Sequence, residues 1–157
     1  MLAADALARV GRHREALAAL DTAQSLLAGQ DSRTDEWMYH FDEGSLAVHA
    51  GTCLLTVGRP EKAAVAFTEA LRLVPVSCER RGAEIQVGLA AARLASGEIE
   101  EAQRLTLTSL ETFAARGSVA GLHRVRELRG TLRPEVTLAW PQLSMSRHAR
   151  WEPQRCD

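Results

Sequence analysis

Aromatic residues are scarce in this chain, at 4% of its 157 residues, and isoleucine occurs only as Ile85 and Ile99. An all-β core is therefore excluded, because sheets draw on β-branched and aromatic side chains. Alanine and leucine supply most of the apolar residues instead, and both are strong helix formers. A chain of this length and composition is predicted to form one all-α domain.

The chain also lacks a large excess of positive or negative charge. It has no cysteine spacing typical of disulfides or metal sites, and no long apolar run. A formal net charge of −1 excludes a globally basic nucleic-acid binder. Cys53, Cys78 and Cys156 are widely separated and form no CxxC, which indicates buried thiols in a reducing compartment rather than disulfides or a metal site. No secretory leader opens the chain and no apolar run approaches bilayer length, so we expect a soluble, cytoplasmic protein without membrane contact.

The chain does contain one short motif in three copies. Each copy is a glycine, four further residues and an alanine that begins an apolar run. The copies are residues 11–16, 58–63 and 97–102. Helical periodicity flanks each copy, so each glycine is predicted to turn the chain between two helices. Internal repetition of this kind is typical of stacked helix pairs.

Apolar spacings of three and four residues predict seven helices. The expected helices are residues 2–10, 15–28, 34–57, 60–74 and 79–95, a sixth that includes 102–113, and 119–129. Ser77 and Ser118 are expected to cap the fifth and seventh helices. Val119, Leu122 and Val125 are expected to form the apolar edge of the seventh.

The middle unit resembles the tetratricopeptide repeat family. Gly51 stands where that family has a small residue for close helix contact. The family's A…F…A…P positions are matched by Ala63, Phe67, Ala70 and Pro75. The flanking units match more loosely, at Ala16, Leu20, Ala23 and Ala28 and at Ala102, Thr106, Ser109 and Ala114. The resemblance covers residues 1–113.

This resemblance implies an all-α, right-handed α-solenoid of about three TPR-like helix hairpins, followed by a C-terminal capping helix. Residues 1–132 would form the repeat domain. Residues 133–157 lose the helical pattern, and we expect a flexible tail there. The alternative is a segment that folds back into a groove or docks on a partner, because Trp140 and Trp151 are costly to leave in water.

A second resemblance is narrower. Residues 36–43, 58–60 and 124–128 are similar to the C-terminal repeat region of large actinobacterial helix-turn-helix regulators of the XRE type. Those regulators carry an N-terminal DNA-binding element that has no counterpart here, so we expect the repeat portion alone. In the repeat alignment the first helix would lack its opening turn and its packing partner, which favours a homodimer through that uncapped N-terminal helix.

In the tetratricopeptide family the first helix of each pair lines a concave surface that holds a peptide or a partner helix. Carried onto this chain, the resemblance implies a binding groove formed by Ser45, Val48, Thr52 and Leu55 and by Glu84, Val87 and Ala91. This groove lacks a basic clamp for a carboxylate, so binding is expected to rest on side-chain burial and a few hydrogen bonds.

The densest aromatic cluster holds Trp37, Tyr39 and Phe41. It is predicted either to pack in the core between two repeats or to form the wall of a ligand pocket. His40 and Glu43 are three residues apart on the same predicted helix and form a two-ligand pair. A structural zinc site needs four ligands, so we expect no metal there.

Arg124, Arg126 and Arg129 give the seventh helix a basic side. One interpretation is a patch that contacts nucleic acid phosphates. The other is a solvated capping face, which is favoured because no aromatic or glycine-rich element accompanies the arginines.

Catalytic motifs are lacking: there is no nucleophile elbow, no phosphate-binding loop and no dinucleotide fingerprint. We therefore expect no enzymatic activity, no catalytic residues and no cofactor. The predicted function is a protein- or peptide-binding module, the sensing or assembly part of a transcriptional regulator. The alternatives are nucleic-acid contact through the arginine-rich helix and a purely structural dimerisation scaffold.

Overall fold

The computed structural model describes residues 2–28 and 43–131, and these residues form seven α-helices and no strands. The helices are α1 Leu2–Arg9, α2 His13–Ala28, α3 Glu43–Thr56, α4 Pro60–Leu73, α5 Glu79–Ala95, α6 Ile99–Ala115 and α7 Val119–Gly130. The prediction of an all-α chain is confirmed for this part of the molecule. Residues 34–42 of the predicted third helix, with Trp37, Tyr39 and Phe41, lie outside the described residues.

The turns that close α1, α3, α5 and α6 share one backbone geometry. At Gly58 φ is +75°, and the glycine N–H donates to Leu55 O at 3.1 Å. The next N–H, from Arg59, donates further back to Leu54 O at 2.8 Å. Glycine adopts this left-handed conformation at no steric cost, which makes it the preferred residue after a helix end. The same pair of bonds recurs at Gly11, Gly97 and Gly117.

Helices that are neighbours in the sequence pack on each other, with α1 on α2, α3 on α4 and α5 on α6. Further contacts between α2 and α3, α4 and α5, and α6 and α7 join these pairs. The odd-numbered helices also contact one another in order: α1 meets α3, α3 meets α5, and α5 meets α7. The odd-numbered helices α1, α3, α5 and α7 are therefore arranged side by side in sequence order.

The largest core cluster includes the buried ring of Phe67 from α4, which touches two other helices through their backbones. A Cβ atom on Gly51 of α3 would lie 2.8 Å from the ring carbon Cε1. A Cβ atom on Gly88 of α5 would lie 2.7 Å from the same carbon. Any side chain at either glycine would overlap the ring, so these two glycines set how closely α3 and α5 approach α4.

A second, smaller core cluster joins the first two helices to α3. It is made of small residues for the most part: Ala4, Ala8, Ala16, Leu20, Ala50 and Cys53. Small side chains let the three helices pack closely. They also bury less apolar area per residue than the leucine- and phenylalanine-containing cluster.

At the C-terminal end, α7 packs on the fully buried ring of Phe113 through Gly121, where a Cβ atom would overlap the ring. Val125 and Leu128 continue that buried face at spacings of four and three. The prediction that Val119 belongs to the apolar edge is wrong, since its side chain is 75% exposed. As the first residue of α7 it lies off the face that Gly121 defines.

The two predicted helix caps have different outcomes. Ser118 caps α7 as predicted, because its Oγ accepts a hydrogen bond from the Gly121 N–H at 3.2 Å. Ser77 does not cap α5: the residue before that helix is Cys78, and no side-chain cap bond forms. Ser77 lies one residue too early in the chain to reach the free N–H groups of the first turn.

Two polar side chains of α6, Thr106 and Ser109, are fully buried. Their hydroxyls donate to the carbonyl oxygens four residues back, Ala102 O at 2.7 Å and Leu105 O at 2.8 Å. Both hydroxyls therefore have an acceptor within the helix, and Ser109 Oγ also lies 3.3 Å from Gln86 Oε1 of α5. These bonds let both residues occupy positions that are apolar in the middle unit.

Replacing Gly88 by alanine is expected to lower the free energy of unfolding by about 1–2 kcal/mol. Overpacking against Phe67 costs about 1–3 kcal/mol, and the better helix propensity of alanine offsets up to about 1 kcal/mol of it. Gly82 of the same helix is the matched control, because its Cβ would make only an ordinary contact with Val74 Cγ1 at 4.0 Å. Gly82→Ala should raise stability in the same urea titration. Equal effects of the two substitutions would contradict this packing.

Candidate ligand-binding groove

A groove of about 850 Å³ is lined mainly by residues from α3, α5 and α7. We call it the central groove. α3 contributes Val48, Thr52 and Leu55, which helical geometry places on one face at spacings of four and three. The other helices contribute most of the remaining lining, namely Glu84, Val87, Gly88 and Ala91 of α5 and Arg124, Glu127 and Leu128 of α7.

α5 lies in the middle of the groove because it is apolar on two sides. One side, with Ile85, Leu89 and Ala92, is buried in the core cluster. The other, with Val87 and Ala91, lines the central groove, and there Val87 is buried while Ala91 is partly exposed. A helix that is apolar over most of its circumference needs cover on more than one side. Within the described residues, the groove side of α5 is covered only in part.

The floor of the groove is apolar. Phe67 of α4 lines it beside Gly88 of α5, which has no side chain to cover the ring. Leu55 and Leu94 are partly buried beside it, and Leu128 of α7 closes the far side. A ligand that displaces water from this floor would gain about 25 cal/mol for each Å² of apolar surface removed from solvent.

The rim is polar and carries both charges. Arg124 Nη1 lies 3.9 Å from Glu84 Oε2, and the arginine side chain is 57% exposed. Glu127 Oε1 lies 3.4 Å from His123 Nδ1 on the same helix. Exposed pairs of this kind contribute little to stability, so these side chains are able to exchange partners when a ligand arrives.

The hydroxyl of Thr52 lines the groove, and its proton is already donated in a hydrogen bond. Its Oγ1 donates to Val48 O at 3.0 Å within α3. The oxygen keeps a lone pair for a donor from a ligand. Thr52 therefore offers the groove an acceptor beside the apolar floor.

Of the seven groove residues expected from the sequence, six line the central groove: Val48, Thr52, Leu55, Glu84, Val87 and Ala91. Ser45 is not among the lining residues. Its Oγ accepts a hydrogen bond from Arg81 Nη2 at 2.7 Å, which links the start of α3 to the start of α5.

The three arginines of the expected basic patch have different surroundings. Arg124 lines the rim of the groove, Arg126 is exposed, and Arg129 is partly buried. Residues two apart on a helix do not point the same way, so Arg124 and Arg126 do not share one face.

Sequence reasoning missed Phe67, Gly88 and the contribution of α7 to the groove. The family comparison pointed only to first helices of hairpins, whereas Phe67 belongs to a second helix. A signal was present nonetheless: a glycine at position 88, between Val87 and Leu89 in the middle of a helix, indicates a close approach by another group.

One cluster of reactive residue types lies outside the groove, between α1 and α3. His49 Nδ1 lies 3.0 Å from Asp5 Oδ2, and Cys53 follows His49 by one helical turn. Burial raises the pKa of the Cys53 thiol, and the Asp5 carboxylate adds to the rise. A thiol in this environment stays protonated and is a poor nucleophile, so we interpret the cluster as a structural link between the two helices.

Among residues 2–28 and 43–131, no group of three or more histidine, cysteine or acidic side chains is arranged to hold a metal ion. None of the seven described helices combines the length and apolar character needed to cross a bilayer.

The two described cysteines should differ sharply in reactivity. The expectation of buried thiols is wrong for Cys78, which is exposed, whereas Cys53 is fully buried and its thiol has a raised pKa. In a Cys156→Ser chain at pH 8, a maleimide should modify Cys78 promptly and Cys53 only after denaturant is added. Peptide mass spectrometry reports both sites. Prompt native labelling of Cys53 would contradict the packing of α1 on α3.

A comparison with known proteins found no matching family model, no similar curated protein and no similar solved structure.

Proposed function

We propose that residues 1–132 form a right-handed solenoid of three tetratricopeptide-like hairpins closed by α7. The shared turn geometry at the repeated glycines supports this arrangement, and so does the ordered contact of the odd-numbered helices. A constant sequence spacing between buried small residues also supports the solenoid arrangement. Buried small residues lie twelve positions apart in each hairpin, as Ala4 and Ala16, Gly51 and Ala63, and Ala90 and Ala102.

We propose that the central groove binds a peptide or an exposed segment of another protein, without catalysing a reaction. The observation that carries the proposal is the groove itself, with one face of three successive odd-numbered helices around an apolar floor. Apolar anchors in such a groove supply affinity, and the polar rim fixes orientation. The rim holds two carboxylates and one guanidinium, which disfavours an acidic peptide.

We also propose that the module serves a transcriptional regulator in sensing or assembly. The similarity of residues 58–60 and 124–128 to the repeat region of such regulators supports this role. The first of these stretches forms the turn between α3 and α4, and the second lies in α7 beside the groove.

Peptide binding is tested by selecting ligands from a random peptide phage library and titrating them by fluorescence anisotropy. Ala91→Arg places a long charged side chain in the groove and should weaken binding at least about tenfold, or about 1.4 kcal/mol. Ala18→Arg introduces the same charge at an exposed position of α2, which does not line the groove, and should leave affinity unchanged. Circular dichroism confirms that both variants fold. Failure to enrich any peptide, or equal binding by Ala91→Arg, would overturn the proposal.

A homodimer through α1 is the second partner that we propose. Ala3 and Ala6 of α1 are exposed, and Val10 just after the helix is 70% exposed. An apolar helix face left in water favours association with a second copy. Sedimentation velocity should show a concentration-dependent dimer that Ala6→Glu converts to a monomer. A wild-type chain that stays monomeric at every concentration would exclude this interface.

A further inference from the structure

The chain leaves its last described helix at the central groove. Thr131, the last described residue, lines the groove, and its Oγ1 donates to Leu128 O at 2.7 Å. The segment that follows, residues 132–157, therefore starts at the groove rim. Any other ligand has to find this surface by diffusion, whereas this segment is tethered to it.

The composition of that segment matches the groove. Residues 136–146 contain no charged side chain and include Leu138, Trp140, Leu143 and Met145. An uncharged apolar stretch suits an apolar floor, because no charge has to be taken out of water. A tryptophan adds a large apolar ring and a single N–H donor, for which the rim carboxylates are acceptors.

The tether is long enough. Trp140 lies nine positions after Thr131, with eight residues between them. An extended chain spans at most about 3.3–3.6 Å per residue, so the reach is about 30 Å. The groove crosses three helices whose neighbouring axes lie about 8–10 Å apart, a total of about 20 Å. Trp140 is therefore able to reach any part of the floor between α7 and α3.

We propose that residues 136–146 occupy the central groove in the free chain, with Trp140 on the apolar floor beside Phe67. The segment then competes with an external peptide for the same surface, which makes this inference rest on the proposed function. A short tether gives an effective concentration of about 1 mM. An intramolecular ligand that alone would bind at about 100 μM then lowers the apparent affinity for an external peptide roughly tenfold.

A chain whose only tryptophan is Trp140 tests this occupancy. Trp37→Phe and Trp151→Phe remove the other two tryptophans. We expect Trp140 emission at short wavelength and weak quenching by acrylamide. Ala91→Arg in the same background should shift the emission to longer wavelength and increase quenching, while Ala18→Arg should change neither. Circular dichroism of all three chains checks that the helices are intact.

Three results would overturn the inference. The first is a solvent-exposed Trp140 in the parent chain. The second is protection that survives Ala91→Arg, which would place Trp140 elsewhere on the molecule. The third is protection that is lost on dilution, which would make the groove a contact between two copies.

The failure of this inference is distinguishable from failure of the proposed function. Trp140→Ser in the otherwise unaltered chain should raise affinity for a library-selected peptide roughly tenfold. Peptide binding with an exposed Trp140 would preserve the proposed function and end this inference. A protected Trp140 together with no peptide binding, even after Trp140→Ser, would end the proposed function and leave the intramolecular contact standing.

Discussion

The architecture depends on close contact between an aromatic ring and bare helix backbone. Phe67 is the only large aromatic ring in the described residues of α3 and α4, and it fits because Gly51 and Gly88 present no Cβ atoms to it. The same contact sets the separation of α3 and α5 and brings the ring to the floor of the central groove. The packing of the core and the shape of the groove thus depend on the same contact. Substitutions that relieve crowding at the Phe67 ring would therefore also change the shape of the groove.

Local sequence signals predicted much of the fold. The three copies of the glycine motif indicated the turns, and the turn has the same backbone hydrogen bonds at every copy. Helical periodicity indicated seven helices, since the apolar spacing acts within a single element. The failures arose at helix starts: Ser77 lies one residue before the cap, and Val119 lies off the buried face. Both depend on where a helix begins, which is the least determined feature of a periodic pattern.

The groove was predictable where the family resemblance carried over to one face of α3 and one face of α5, from which six of the seven expected residues line it. Val48, Thr52 and Leu55 share a face by spacing alone, whatever α3 packs against. Phe67, Gly88 and Leu128 reach the same surface from three different helices, so their convergence depends on tertiary packing that spacing does not encode. The aromatic cluster at Trp37 falls outside the described residues, and its role stays a prediction.

The division of the core into two clusters has a consequence for how the molecule comes apart. The first hairpin is attached mainly through alanines, with one histidine–carboxylate contact, while the later helices share leucines and two buried phenylalanine rings. Stability in stacked helical arrays is local, and the unit with the least buried apolar area opens first. The first hairpin should therefore detach as a cooperative unit while the remainder stays folded, and proteolysis would begin there well before global unfolding.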